Sequence, residues 1–190
     1  MGLKENFEKA GFSFFEFDNR EDAVSYLCDA CAGRSVAFGG SVTAKELNLY
    51  GRLSERSSCA WHWEKDDPSA IAAARVYITS ANAISQTGEI VNIDGNCNRV
   101  SSSMYGHEEV FFVVGENKVC PDLPSAWNRA RNVAAPMNAR RLNRATPCGA
   151  DGVCHDCQSP ECICSVISVM RKKPSSCRAT VVLIHEALGY

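Results

Sequence analysis

Strand-sized apolar runs, separated by segments of helical spacing, recur from one end of this 190-residue chain to the other, and this alternation narrows the fold more than any other feature. Leu3–Ala10 predicts a helix stopped by Gly11, and Phe12–Phe17 a strand. Glu21–Ala32 sets Ala23, Val24, Leu27, Cys28 and Cys31 on one helical face, with Gly33 as terminator. Ser35–Phe38 reads as a strand that enters the turn GGSVT, with a new helix from about Ala44. Cys59–Trp63 predicts a strand and Pro68–Ala74 a short helix opened by proline. Val76–Thr79, Ile90–Ile93 and Val110–Val114 predict three more strands between glycine- and asparagine-rich turns. Ser125–Asn143 has a helical pattern that Pro136 should break or kink. A helix around Cys164–Met170 and a closing strand at Thr180–Ile184 complete the reading. Strands alternating with helices imply an α/β sheet covered on both faces, and the length suits one domain, residues 1–190.

Composition excludes several classes. Hydrophobic residues at 45% and charged residues at 22% are ordinary globular values, so neither disorder nor a fibrous protein is indicated. A formal net charge of -2 gives no whole-chain attraction to nucleic acid or to an anionic membrane. No apolar run approaches the length of a membrane span. The opening MGLKENFEKA carries charges where a secretory signal needs an apolar core, and Asn6 stands where myristoylation wants Ser or Thr. The expectation is a soluble, cytoplasmic protein.

Eleven cysteines are many for such a chain, and their number is odd. With no secretory signal, metal binding explains them better than a disulfide framework. Cys148, Cys154, Cys157 and Cys164 form C-x5-C-x2-C-x6-C, with Cys162 as a spare. Thiolates this close can converge on one centre, and Gly149 and Gly152 would let the loop wrap it and aim N–H groups at sulfur. Four cysteine ligands suit an iron–sulfur cluster, 4Fe–4S included, or zinc, with a metal-free loop as the third reading, and the single CxxC is not the paired-knuckle pattern of most structural zinc sites. His155 could replace one thiolate. Cys28 and Cys31 are spelled like a redox pair, but inside a predicted helix they read as structural.

Two turns could carry a ligand. Gly39, Gly40, Ser41 and Thr43 lie between a predicted strand and helix, where glycine permits close backbone approach and the helix start favours an anion. The plain alternative is a tight turn capped by Ser41 or Thr43. The segment matches neither GxxxxGK(S/T) nor GxGxxG. Ser80–Arg99 either lines a crevice at the carboxyl end of the sheet, with Asn82, Asn98 and Arg99 as hydrogen-bonding groups, or forms hairpin turns at Gly88 and Asp94-Gly95. Arg129, Arg131, Arg140, Arg141 and Arg144 meet no acidic residue between Trp127 and Ala145. They could hold an anion, balance a thiolate cluster, or form a solvated helix face. No GxSxG or HExxH is present, and His62, between two tryptophans, reads as packed.

The segments FGGSVTAKELNLYGRL, VYITSANAISQTGEIVNIDGNCNR, YGHEEVFFVVGENKV, CGADGVCHDCQSPECICSV and VVLIHEALGY together resemble the LUD-domain family, the lactate-utilisation protein C-like proteins, over nearly the whole chain. The resemblance implies a Rossmann-like domain of the sugar-phosphate isomerase, CoA-transferase and formyltetrahydrofolate cyclo-ligase type, with a cysteine-rich segment at 148–164. It implies a ligand at the strand ends, with Gly39, Gly40, Ser41 and Thr43 as one wall, Asn82, Gly88, Asn98 and Arg99 as another, and Gly106 and His107 nearby. It also implies a small anionic metabolite and iron–sulfur oxidoreductase subunits as partners, in the oxidation of lactate or a related hydroxy acid. Self-association is left open. A free-standing enzyme acting on a sugar phosphate, acyl-CoA or folate-like ligand is the alternative, and a regulatory module with structural zinc is another. Neither Glu89 nor Glu116 has the context of a CoA-transferase nucleophile.

Overall fold

A computed structural model describes residues 2–190, so only Met1 of the expected domain lies outside the described residues. The strands are β1 (Ser13–Phe17), β2 (Ser35–Phe38), β3 (Ser58–Trp61), β4 (Val76–Thr79), β5 (Ala83–Ser85), β6 (Ile90–Asp94), β7 (Glu109–Gly115), β8 (Val119–Cys120), β9 (Val166–Met170) and β10 (Arg178–Ile184). The helices are α1 (Leu3–Lys9), α2 (Arg20–Cys31), α3 (Val42–Glu46), α4 (Leu49–Ser54), α5 (Pro68–Ala73), α6 (Asn98–Ser102), α7 (Leu123–Arg129), α8 (Ala135–Arg141) and α9 (Pro147–Asp151).

Six strands form a parallel sheet in the order β1-β10-β7-β4-β2-β3. Its central strands are buried on both faces, as the unbroken apolar runs Val110–Val114 and Val181–Ile184 require. Ala23, Val24, Leu27 and Cys31 of α2 join Leu49 and Leu53 of α4 over one face, against Val36, Phe38, Phe111 and Val113. The other face packs Ala37, Tyr77, Phe112 and Val181 against Phe7 of α1 and against Ile84, Ile90 and Met170 of a second sheet. That sheet is smaller, in the order β8-β5-β6-β9, and β6 pairs antiparallel with both β5 and β9. Helices α7 and α8 and the π turn between them cover its outer face through Ala126, Ala130 and Ala135 against Ala83, Val91 and Ile93. The chain is thus a mixed α/β domain with a mostly parallel central sheet, as the alternation predicts.

Three local expectations need correction. Cys164–Met170, expected as a helix, is instead the strand β9, because Val166, Ile167 and Val169 pair with β6 and β-branched side chains favour that pleated surface. Cys59–Trp63 is a strand only to Trp61, after which His62–Glu64 makes a single 3₁₀ turn. Pro136 does not interrupt the long helix: a π turn at Ala130–Ala134 widens the preceding turn, so the missing N–H and the bulk of the ring fall where the helical ladder is already open.

Candidate functional site

The carboxyl ends of β2, β4, β7 and β10 lie along one rim of the large sheet, where open α/β sheets place ligands. Gly39 and Gly40 leave β2, Ser80 leaves β4, Lys118 follows β7 through a 3₁₀ turn, and Leu188–Tyr190 follow β10. These segments, with α6, α8 and the loop at Pro160–Ile163, enclose a cavity of ≈ 440 Å³, a size suited to a small ligand.

At the base of the cavity, Lys118 is 2% exposed. Its Nζ donates to Thr43 Oγ1 at 2.8 Å and to Ser80 Oγ at 3.1 Å. The Thr43 hydroxyl passes the contact on by donating to the Leu188 carbonyl. No carboxylate forms an ion pair with Lys118 among the described residues. Burial pulls its ammonium down to about 7, with Arg129 and Arg99 acting in the same direction and Glu46 against them. An ordinary surface lysine would be fully charged at neutral pH, whereas this one divides between ammonium and amine.

Arg99 braces the adjoining wall. It donates to the Ser80 carbonyl at 3.3 Å, Asn92 Oδ1 at 2.5 Å, Asn82 Oδ1 at 3.1 Å and the Ile93 carbonyl at 2.8 Å. Those amides are themselves fixed, since Asn82 N–H donates to Asn92 Oδ1 and Ile93 N–H donates to Asn82 Oδ1. Asp94 also lines the cavity, but its carboxylate accepts from the backbone N–H groups of Asn96, Cys97 and Val100. Arg141, stacked 5.1 Å over Trp63 and bonded to Tyr190 Oη at 2.6 Å, stands at the mouth with Arg144. Three arginines and the part-charged Lys118 thus line the cavity against Asp94 and Glu161, and the local field favours an anion.

Gly39 explains how Arg99 reaches its place. A Cβ there would lie 2.7 Å from Tyr77 Oη, 3.0 Å from Thr79 Oγ1 and 3.1 Å from Arg99 Cγ, all within packed structure. A Cβ at Gly40 would meet nothing nearer than 3.5 Å. Gly39→Ala is therefore expected to lower stability by about 1–3 kcal/mol, and Gly40→Ala by less than about 1 kcal/mol, in urea unfolding.

The residues expected at the site divide into those the structure brings together and those it separates. Gly40, Ser41, Asn82, Asn98 and Arg99 line the cavity. Gly39 backs Arg99, and Thr43, fully buried, holds Lys118. Ser41 also caps α3 by accepting from Ala44 N–H, so the capped-turn reading and the ligand-wall reading both describe this segment. Gly88 lies elsewhere, at the β5–β6 turn, packed on the Asn6 carbonyl with φ +98°. Gly106 and His107 precede β7 and so lie at the opposite, amino end of the strands, where His107 Nδ1 contacts the Ala74 carbonyl at 2.7 Å and its ring stacks on Tyr77. His62 is exposed at the cavity edge rather than packed, turned edge-on to Trp63. Lys118 was not legible as a site residue, because ENKV carries no motif and only the fold buries it.

All eleven cysteines are free thiols. Cys31, buried under α2, has its thiol pushed up to about 12 by desolvation, consistent with a packing role for the Cys28–Cys31 pair. In the loop, burial and then the neighbouring Cys162 thiol push Cys164 up to about 12, with Cys148 and Cys154 adding to the effect. Arg131 donates to Cys154 Sγ at 3.5 Å and to Asp156 at 2.5 Å, while Thr146 Oγ1 lies 3.4 Å from Cys148 Sγ. These donors fit a thiolate-bound centre in kind and number but not in arrangement: among the described residues, no three His, Cys, Asp or Glu side chains stand where one metal ion could be held. Cys162 and the residues beside it instead wall the cavity.

The arginines of the α7–α8 region do not form one solvated face. Arg129 donates to the Asn82 and Asn117 carbonyls, Arg131 turns to the cysteine loop, Arg140 binds the Gly149 carbonyl at 3.2 Å, and Arg141 and Arg144 face the cavity.

Comparison with known proteins gives a concordant result. The family model for the LUD domain matches residues 1–184. A crystal structure of a DUF162 family protein from Deinococcus radiodurans superposes with a TM-score of 0.56, covering 96% of this chain and 93% of that one. At 11% identity that likeness is one of fold. No curated protein matches the sequence. No helix among the described residues is long and apolar enough to cross a membrane.

Proposed function

Because the chain belongs to the LUD-domain family, which is linked to lactate utilisation, we propose that its strand-end cavity binds a small carboxylate of hydroxy-acid oxidation, in an accessory or electron-transfer role. The observation that carries this reading is Lys118, a buried amine with no carboxylate partner among the described residues, held by two hydroxyls at the base of a cavity that Arg99, Arg141 and Arg144 make positive. A ligand carboxylate there would supply the missing counter-charge. It would also favour the ammonium form, so binding should take up a proton at neutral pH.

Thermal-shift screening tests the reading. Lactate and pyruvate are expected to raise the unfolding midpoint in a concentration-dependent way, more at pH 6 than at pH 9, because Lys118 loses its charge as pH rises through about 7. Sugar phosphates, acyl-CoA and folate-like ligands represent the alternative enzyme class. A response to those alone, with none to small carboxylates, would replace this reading by that one.

An iron–sulfur cluster on Cys148, Cys154, Cys157 and Cys164 belongs to the same proposal, with zinc as its alternative. It rests on soft thiol donors crowded into one loop and on the cationic Arg131 beside Cys154, and its assembly would require the loop to rearrange. A cluster would supply one-electron storage, with partner oxidoreductase subunits as the other end of the transfer. Anaerobically prepared protein is expected to contain iron and acid-labile sulfide and to absorb in the visible. One equivalent of zinc in their place would point to a structural module, and a metal-free, colourless preparation would remove the electron-transfer half.

A further inference from the structure

We propose that Lys118 is a nucleophile which captures a 2-oxo acid from the cavity as a covalent imine, an activity that rests on the anion-binding reading above and goes beyond it. The geometry of one nitrogen sets the chemistry. An amine bonded to Cε has three further directions, and two of them at Lys118 are taken by hydrogens donated to Thr43 Oγ1 and Ser80 Oγ. In the neutral form the third direction carries the lone pair. The side chain is among those that line the cavity, and covalent capture requires that third direction to open on it, past the Gly189 backbone that runs beside the nitrogen.

Desolvation keeps much of the nitrogen neutral near pH 7, and the charged groups that act on it explain why: Arg129 and Arg99 oppose a further positive charge, and Glu46 is the acid acting against them. Glu46 is itself engaged, accepting from the Gly189 N–H at 2.7 Å. The arginines at the mouth of the cavity supply the second requirement. A ketone beside a carboxylate brings its own negative charge; in a 2-oxo acid that charge would lie toward the rim pair Arg141 and Arg144, leaving the neutral carbonyl toward Lys118 and the amine unprotonated, whereas the carboxylate of lactate is free to pair with the ammonium. A neutral aldehyde would lack that anchor.

The step balances without any oxidant or reductant. The Lys118 nitrogen forms a bond to the carbonyl carbon, and the carbonyl oxygen takes up the proton released from nitrogen to give a carbinolamine. The carbon–oxygen bond then breaks, water leaves with a second proton, and a carbon–nitrogen double bond remains. The Thr43 and Ser80 hydroxyls, already hydrogen-bonded to the nitrogen, are placed to relay those protons. Lactate has no carbonyl and can bind only as an anion.

Borohydride trapping tests this on the full-length protein. With pyruvate and sodium borohydride at neutral pH, the expected result is one covalent adduct, of the mass of pyruvate less one oxygen atom, mapped to the peptide that contains Lys118. Lactate should give none, and Lys118→Arg, which keeps the positive charge, should lose the adduct at this peptide. Because the mapping is done on the unaltered protein, the test does not depend on the variant folding. A thermal shift with pyruvate but no adduct, or an adduct only on other lysines, would overturn covalent capture and leave anion binding standing. Neither shift nor adduct would overturn both.

Discussion

Replacing Lys118 by methionine is expected to stabilise the protein by about 2–3 kcal/mol at pH 7 while abolishing its response to small carboxylates. The gap between about 7 in the folded state and the ordinary 10.5 corresponds to about 5 kcal/mol of unfavourable burial. Methionine removes that cost but leaves Thr43 and Ser80 without their donor, which returns about 1–1.5 kcal/mol for each lost hydrogen bond. The pH dependence has a definite sign. Between about 7 and 10.5 the unfolded chain holds the lysine proton and the folded chain does not, so the wild type gains stability as pH rises through that window. The advantage of the variant should therefore be greatest near pH 7 and should reverse by pH 10, where less than about 1 kcal/mol of the burial cost remains against the two lost hydrogen bonds. Urea midpoints at the two pH values measure this directly, and a variant less stable than wild type at both would show that the lysine is not buried at a cost.

Arg99→Ala has the opposite expected outcome, a loss of about 3–5 kcal/mol. The guanidinium satisfies two carbonyls and two amide oxygens, and alanine leaves all four facing the cavity. The damage extends beyond the contacts removed. Asn82 and Asn92 hold the β5–β6 hairpin through the Ile93 and Asn82 N–H groups, and Arg99 holds both amides in place. Arg99→Lys should recover only part of the loss, since an ammonium is not the planar fork that bridges two amides and two carbonyls at once. Chemical unfolding of the three proteins orders them as wild type, Lys, then Ala. Equal stability of the Ala variant and wild type would mean that cavity water replaces the arginine without penalty.

Much of the architecture could be read from the residues because the apolar runs of a doubly covered parallel sheet leave few alternatives. Val110–Val114 and Val181–Ile184 have no polar face to show solvent, so they had to be central strands. Gly11 and Gly33 end their helices at positive φ, as expected of glycine stops. Where reading failed, tertiary context decided. Val166–Met170 has apolar residues that suit either a helix or a strand, and only the exposed edge of β6 makes it a strand. Pro136 survives inside a helical run because of a π turn that leaves no signature in the letters.

The candidate site was half legible. Gly39–Thr43 and Ser80–Arg99 announced themselves by turn chemistry and by small polar residues after a strand. Gly106 and His107 belong to the same kind of segment, but they stand before β7 rather than after it, and spelling does not record which end of a strand a turn occupies. Lys118 was invisible for the converse reason. A lysine in a polar loop looks solvated until β4, β7 and the C-terminal tail close around it, and Gly189 lets that tail pass, since a Cβ there would lie 2.6 Å from Thr43 Oγ1. The cysteine loop proved to do something its spacing does not suggest, because Cys162 and its neighbours wall the same cavity.

A crystal structure with lactate bound tests the central claim most directly, because lactate can occupy the cavity only by charge and hydrogen bonding. The account predicts its carboxylate within hydrogen-bond distance of Lys118 Nζ, beside Ser80 and Asn82 and on the side toward Arg141. Lactate seated instead near Tyr105 and His107 at the opposite strand ends, or a cavity holding only water at saturating lactate, would contradict it.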